Sequence, residues 1–468
     1  IPIPAFSLSG GTFPSWARLN ASTGVISGTP SNTGGSPFSF TVHVTNALGF
    51  ASQSVTITVQ PPLVAPTVSL ASARRQVVQK GQSLILAVTA NGSTPLAYRW
   101  KRNGLPLAGA TGATYTIANA SAQDAGYYQA VVSNPVGTAT APAIFVHVSY
   151  PATEVISWGP NVPVPAGLTT AVAISAGTNH GVVLKSDGTV QAWGGDSTVT
   201  TIPAGLSGVV AVSGGYSHSL ALKSDGTVVG WGYNDYSQLA IPPGLSDVVA
   251  IAAGSANFAV KGDGTVVAWG NNNNGLLSVP AGLTGAVAIS NPGGMAYAIT
   301  ADGSITAWGD NSFGLRTIPA TAAPALAVAT SYTTSLALNV GGTVVAWGSN
   351  YYGVGTVPAG LTGVTALVAS SYQAVALKSD GSVVLWGNNN SDGGAVPFPV
   401  GVRSVVAISA GANLRLALRD ASNDSAPVLT ASPVGVAANL GQGVTLAATA
   451  TAGTASITYQ WFKDTVAI

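Results

Sequence analysis

The chain contains no cysteine, which excludes disulfides, thiol nucleophiles and cysteine-based zinc sites together. Glu154 is its sole glutamate, and there are four histidines and one methionine. Charged residues make up 7% of the 468 positions, against about 25% in an average soluble protein. The net charge of +1 supplies no basic field for nucleic acid or an acidic membrane surface. The basic pairs Arg74-Arg75 and Lys101-Arg102 stand isolated and read as solvated strand positions. No apolar run reaches the roughly 18 residues of a membrane-spanning helix. Long polar helix formers are scarce, whereas Gly (58) and Pro (28) are abundant. That balance predicts an all-β chain of many short strands and turns.

What is present in quantity is a repeat. A Trp-Gly pair stands at Trp158, Trp193, Trp231, Trp269, Trp308, Trp347 and Trp386, in steps of 35, 38, 38, 39, 39 and 39 residues. A fixed period of roughly 20–50 residues marks a solenoid or propeller. Each copy, as in 211–232 (AVSGGYSHSLALKSDGTVVGWG), holds two apolar runs, an Asp-Gly pair, a third run ending in Trp-Gly, and a loop leading to a VPAGL-like connector. Asp187-Gly188, Asp225-Gly226, Asp263-Gly264, Asp302-Gly303 and Asp380-Gly381 predict hairpins with type I′ turns, and Gly341-Gly342 stands in the same place. The runs are apolar at nearly every position, which implies that both faces are covered. Six units are complete. The half unit Val155–Gly159 and the half unit Val405–Leu418 make a seventh if the two ends pair, which would close the array and remove its edges. The expectation is a seven-bladed β-propeller over 152–420.

The flanking stretches read as β-sandwich modules. Phe38–Val44 and Gln53–Val59 alternate around a turn at Asn46–Gly49, after a short strand at Val25–Ser27. Gln60–Ala65 is a proline-rich linker. Within 66–148, Leu84, Leu86 and Val88 alternate, Trp100 follows, and Asp124-Ala125-Gly126-Tyr127-Tyr128 precedes Ala130. In 427–468, Val444, Leu446, Ala448 and Trp461 repeat the first half of that pattern. We expect modules at 1–60 (incomplete at its start), 66–148 and 427–468 (truncated), and read the chain as part of a longer polypeptide.

These strings resemble known families. Thr23–Asn46, with its TG-x-ISGTP run, resembles the putative-Ig, cadherin-like modules of bacterial surface proteins. The D-x-G-x-Y string resembles the tyrosine corner of immunoglobulin-like sandwiches. That resemblance makes Tyr128 the corner residue and puts Val88 and Ala130 where a disulfide usually sits against Trp100. The repeats resemble the regulator-of-chromosome-condensation family, whose core is H-S-L-A-L-x-x-D-G-x-V-x-x-W-G. The VPAGL connectors are most similar to its bacterial branch, which includes a secreted beta-lactamase inhibitor. The family histidine survives at His180 and His218, while Asn257, Thr334, Ala374 and Leu414 stand near that place in later copies.

No constellation nominates catalysis. His180 and His218 lack a third ligand in register and read as structural, hydrogen-bonded to backbone. The repeated aspartates are explained by their turns, and no G-x-S-x-G frames a serine. Binding has better support. Tyr216, Tyr332 and Tyr372 read as one register after the first strand, and Tyr233, Tyr236, Phe313, Tyr351 and Tyr352 lie in loops after Trp-Gly, near Asn271–Asn274 and Asp310. Aromatics beside amides suit carbohydrate stacking or a protein hot spot. The expectation is a non-enzymatic bacterial protein, extracellular or at the cell surface, without cofactor or metal. Ig-like modules would act as stalk, and the propeller would serve adhesion, display or assembly into a homopolymeric appendage. The alternatives are an inhibitor acting through the propeller rim, then a nucleotide-exchange factor or a polysaccharide-active enzyme.

Overall fold

The computed structural model describes residues 3–159, 162–291, 293–387 and 397–422, and beyond them four short strands within 428–467. Val444, Leu446, Ala448 and Trp461 lie outside the described residues. The chain is all-β: among the described residues α-helix amounts to one turn, Ser197–Thr200. Two compact units divide it: Ile1–Thr67 with Asn91–Leu96 and Ser133–Thr138, and the remainder.

In the first unit, Ala5–Gly11, Phe38–Asn46 and Gly49–Ile57 form an antiparallel sheet, beside a ribbon of Ala17–Leu19 with Ile26–Gly28. Alternation puts Phe38 and Phe40 on its buried face, where Trp16 and Phe13 meet them edge-on at 6.1 and 4.9 Å between ring centroids.

Residues 67–149 form two sheets. One holds Arg75–Gln79, Ile144–Ser149, Gly126–Asn134 and Ala97–Arg102; the other holds Thr67–Leu70, Leu84–Asn91 and Thr114–Ile117. Trp100, Leu86, Val88, Tyr128 and Ala130 share one buried cluster. Small apolar side chains thus stand against the tryptophan where a disulfide could have been. The Tyr128 hydroxyl donates to the Asp124 carbonyl at 2.9 Å, and burial pushes its pKa up to about 12.

Residues 153–420 form seven three-stranded antiparallel sheets among the described residues. Six consist of a leading, a middle and a trailing strand in chain order; the second, for example, is Val209–Gly214, His218–Lys223 and Val228–Gly232. The seventh joins both ends of the array. Leading Val405–Ala410 and middle Arg415–Asp420 are completed by Thr153–Trp158, paired antiparallel from Thr153↔Asp420 to Trp158↔Arg415. Each sheet packs on the next, and the first packs on the seventh. Val155, Leu416 and Leu418 of the seventh share a core with Ala171, Val183 and Trp193 of the first. The same serine bond crosses successive sheets: Ser409 Oγ accepts from Ala176 N–H, Ser175 Oγ from Gly214 N–H, and Ser213 Oγ from Ala253 N–H, each at 2.9 Å. The succession of sheets is therefore closed, with the junction stitched like its neighbours.

The Trp-Gly pairs explain this packing. Trp231, Trp269, Trp308, Trp347 and Trp386 are buried, and each indole N–H donates to a carbonyl in the loop of the preceding sheet, at 2.7–2.9 Å. The following glycine has positive φ, as at Gly309 (+104°), and a Cβ there would stand 2.5 Å from the Gly294 carbonyl oxygen. The Asp-Gly hairpins differ from the expected type I′ turn. Only the glycine has positive φ, as at Gly188 (+77°), and its N–H bonds the Lys185 carbonyl. This is a three-residue loop, a type I turn followed by a left-handed glycine. The aspartate instead accepts from the residue after the glycine: Asp187 Oδ1 takes Thr189 N–H at 2.9 Å and its hydroxyl at 2.6 Å. Gly341 accordingly has no positive φ, while Gly342 does (+74°).

Arg74 and Arg75 are not solvated strand positions. Arg75 donates to the Val249 and Val210 carbonyls at 3.2 and 3.1 Å and lies 4.6 Å over the Phe145 ring, while Arg74 bonds the Gly262 carbonyl. Val210 and Val249 are the residues that the leading-strand ladders skip at their bulges, so their backbone is open to an outside donor. Lys80 pairs with Asp420 at 2.7 Å. The sandwich sheet thereby rests on the hairpin end of the repeat strands. Lys101 and Arg102 stay within the sandwich, where Arg102 donates to the Gln123 carbonyl at 2.7 Å.

Two outcomes check this account. Deleting 152–159 removes a strand and opens two edges, so calorimetry should show a lower melting temperature; an unchanged one would be incompatible with closure through this strand. Gly309→Ala should destabilise by about 1–3 kcal/mol in chemical denaturation. Gly314→Ala should cost less, because a Cβ there meets nothing within 4 Å.

Candidate functional site

Leading strands end, middle strands begin and trailing strands end at the same side of every sheet, opposite the Asp-Gly hairpins. All eight aromatic candidates follow a leading or trailing strand and so lie at that side. A cavity of about 510 Å³ opens there, and all seven sheets contribute to its wall through the ends of their leading strands, among them Ala176, Gly214, Ala253 and Ala410. Ile251, Ile289, Val328 and Leu367 give the wall apolar surface. Its volume lies in the range of about 300–1,000 Å³ usual for small-ligand sites.

Three of the eight aromatics line the cavity: Tyr216, Tyr332 and Phe313. They are 45%, 59% and 45% exposed, which leaves ring faces open to a ligand. Tyr216, from the second sheet, reaches the fourth, where a Cβ on Gly293 would stand 3.0 Å from its hydroxyl. Partial burial and the neighbouring Tyr332 raise its pKa.

Tyr372 does not share the register of the other two. His218 pairs with Gly232, Thr334 with Gly348 and Gln373 with Gly387. Tyr216 and Tyr332 therefore stand two residues before their middle strands, and Tyr372 one. It is Ser371 that lines the cavity. Tyr372 instead supports Tyr332 at 5.9 Å between centroids, and Tyr352 and Tyr351 continue the chain of rings at 4.7 and 4.8 Å. Tyr233 and Tyr236 stand apart from the cavity wall. The Tyr233 hydroxyl donates to Asp196 Oδ2 at 2.7 Å, which raises its pKa, and Tyr236 is 58% exposed.

Polar groups complete the wall. Asn274 and Asp310 approach one point from two loops: a Cβ on Gly294 would stand 3.2 Å from Asn274 Nδ2 and 4.0 Å from Asp310 Oδ2. Ser312 occupies Asp310 Oδ1 through its hydroxyl and N–H, holding the carboxyl below its usual pKa, while Oδ2 is the carboxylate oxygen on the Gly294 side. The composition of the loops pointed to Asn274 and Asp310. Ser331 and Ser371 were missed, although each immediately precedes a candidate tyrosine in the sequence. No Lys, Arg or His belongs to the described lining, and among the described residues no three His, Asp or Glu cluster as a metal site.

His180 and His218 are buried directly behind Gly177 and Gly215 of the wall without lining it, and their rings bond side chains of the next sheet, not backbone. His180 Nε2 lies 2.9 Å from Ser219 Oγ and His218 Nε2 lies 2.7 Å from Asn257 Oδ1. Asn257 Nδ2 donates to the Gln238 carbonyl, so its Oδ1 must accept from His218 Nε2–H. That leaves His218 Nδ1 buried without a partner, which fits a neutral ring. Register explains the variation seen in sequence: Asn257 and Ala374 stand one position after that of the histidines.

Comparison with known proteins agrees with these parts. The regulator of chromosome condensation (RCC1) repeat matches residues 171–197 and 209–238, the putative Ig domain 3–60 and the immunoglobulin domain 65–134. A decoration protein of Escherichia phage T5 is 41% identical over 75 residues, which cover 16% of this chain and 46% of that protein. Human contactin-2 is 38% identical over 65 residues, covering 12% and 6%. The chain thus spans less than half the length of either relative. Among solved structures, one explaining Dscam isoform specificity matches 31% of this chain and 38% of its own at 17% identity, with a TM-score of 0.22. Extracellular domains 3–5 of Drosophila OTK match 32% and 52% at 18% identity, with a TM-score of 0.21. Among the described residues no helix is long and apolar enough to cross a membrane.

The histidines generate a pH prediction. Burial, then the neighbouring His218, depresses His180 from 6.5 to about 4, and burial lowers His218. Between those values the unfolded chain binds protons that the folded chain refuses. Stability is therefore full above about pH 6.5 and falls as pH drops toward 4, by on the order of 3 kcal/mol for His180. Denaturant melts at pH 7.5 and 4.5 should show this loss, and His180→Gln should reduce it. An equal loss in the variant would refute the assignment.

Proposed function

We propose that residues 152–420 form a seven-bladed β-propeller, carried by Ig-like modules at 1–60 and 66–148 with a further one from 427. In this reading the protein is non-enzymatic and extracellular, standing on the outer surface of the bacterial cell or particle that bears it. The propeller is a rigid head that captures a partner. The observation that carries the reading is the asymmetry of the repeat strands. Their hairpin end receives Arg74, Arg75 and Lys80 of the sandwich, and their other end exposes aromatic rings around a cavity. A head held at one end with adhesive side chains at the other suits display.

Two further points support it. The repeated aspartates are engaged in their own turns and the histidines in sheet contacts, so neither set is poised for proton transfer. Likeness to a phage decoration protein and to contactin-2 fits a protein of surfaces, although each match covers a small share of the chain.

The test is topological. Antibody against an epitope tag on the full-length protein should label intact cells or particles, and external protease should remove the label. Labelling only after permeabilisation would overturn the reading.

A further inference from the structure

The chemistry of the cavity wall says more about the ligand than a generic rim does. Resting on the reading above, we infer that the cavity takes a neutral saccharide, stacked on Tyr216 and Tyr332, with its hydroxyls on Asp310 and Asn274. The rings come first. Tyr216 and Tyr332 present partly open faces at the mouth, and Tyr332 is backed by Tyr372, itself packed on Tyr352. A ring held from behind loses little freedom when a ligand stacks on its other face, and the apolar C–H face of a pyranose is such a ligand.

The polar pair comes second. Asp310 Oδ2 accepts hydrogen bonds only, while the Asn274 amide both donates and accepts. Converging at Gly294, they match two neighbouring hydroxyls of a sugar, each of which donates and accepts. Gly293 and Gly294 keep that part of the wall free of side chains, and substitution at Gly293 would meet Tyr216. Ser331 and Ser371 add lining of the same kind.

Charge comes third. The described wall offers no cation, and its ionised group is the Asp310 carboxylate. Phosphorylated, sialylated or uronic ligands would meet repulsion without compensation. A quaternary ammonium could satisfy the rings and the carboxylate. It would leave most of a cavity of about 510 Å³ empty and the amide and hydroxyl groups without ligand partners.

Calorimetry on the full chain tests this with maltotriose, cellotriose and N-acetylchitotriose as neutral probes, and sialyllactose and choline as contrasts. At least one neutral probe should bind with a Kd below roughly 10 mM. Tyr216→Ala and Tyr332→Ala should each weaken it about tenfold or more. Tyr332→Phe keeps the stacking face and should stay within about twofold, and Tyr236→Ala, off the wall, should change nothing. Melting curves confirm that each variant folds; if an alanine variant does not, Asp310→Ala carries the same expected loss. The inference is overturned by no binding of any neutral probe, by tighter binding of sialyllactose or choline, or by binding that ignores Tyr216, Tyr332 and Asp310. Surface labelling that persists alongside such a failure would sink the saccharide alone, whereas loss of labelling would sink the display reading beneath it.

Discussion

The interaction on which the repeat region depends is the indole N–H of one sheet bonded to a loop carbonyl of the sheet before it. Three stranded sheets of five- and six-residue strands are too small to bury a core alone. Trp231, Trp269, Trp308, Trp347 and Trp386 therefore carry two tasks, filling the space between sheets and satisfying a buried carbonyl. Gln238 shows the economy of the arrangement. Its carbonyl oxygen accepts from Trp269 and also from Asn257, and Asn257 in turn receives His218. Removing His218 leaves Asn257 Oδ1, and removing Asn257 leaves His218 Nε2–H, buried without that partner, a penalty of about 1–3 kcal/mol. The glycine after the tryptophan belongs to the same device, since the middle strand passes where its side chain would be.

Closure extends that logic around the whole succession. An open array would end in a leading strand on one side and a bare sheet face on the other. Pairing Thr153–Trp158 with Arg415–Asp420 covers both with the strand ladder, shared core and serine-capped amide found elsewhere. The junction also fixes the sandwich, because Asp420 ends the last strand and holds Lys80. The two ends of the strands consequently differ in role. The hairpin end is tied down by Asx turns, by Arg75 on two bulge carbonyls and by Arg74 on the Gly262 carbonyl. At the far end, the loops between leading and middle strands bring Tyr216, Ser331, Tyr332 and Ser371 to the cavity wall.

The fold was largely legible because its devices are local and repeated. A Trp-Gly at a steady spacing, an Asp-Gly between apolar runs and a half unit at each end are visible without coordinates, and so was the corner tyrosine at Tyr128. The turn type was misjudged because Asp-Gly permits two hairpin geometries; Gly341-Gly342 forms the same three-residue loop without a carboxylate, so the bonds to the aspartate reinforce the loop and do not select it. Thr189, Thr227 and Thr265 make such bonds. Arg75 was misread for a different reason. Nothing local distinguishes a solvated arginine from one aimed at carbonyls 135 and 174 residues away.

The candidate site was legible by composition but not by register. A single residue separates Tyr372 from the position of Tyr216 and Tyr332, and in β-structure one residue decides which way a side chain points. That shift turns one presumed binding ring into the support of another, and puts Ser371 on the cavity wall in its place. Asn274 and Asp310 show the converse. They belong to successive loops 36 residues apart in sequence, and only the approach of both to Gly294 makes them a pair. Specificity in such a frame is set where the sheets' loops converge. A repeat unit fixes its own strands, but the cavity wall draws residues from all seven sheets at once, and their combination is a property of the closed succession, which no single unit contains.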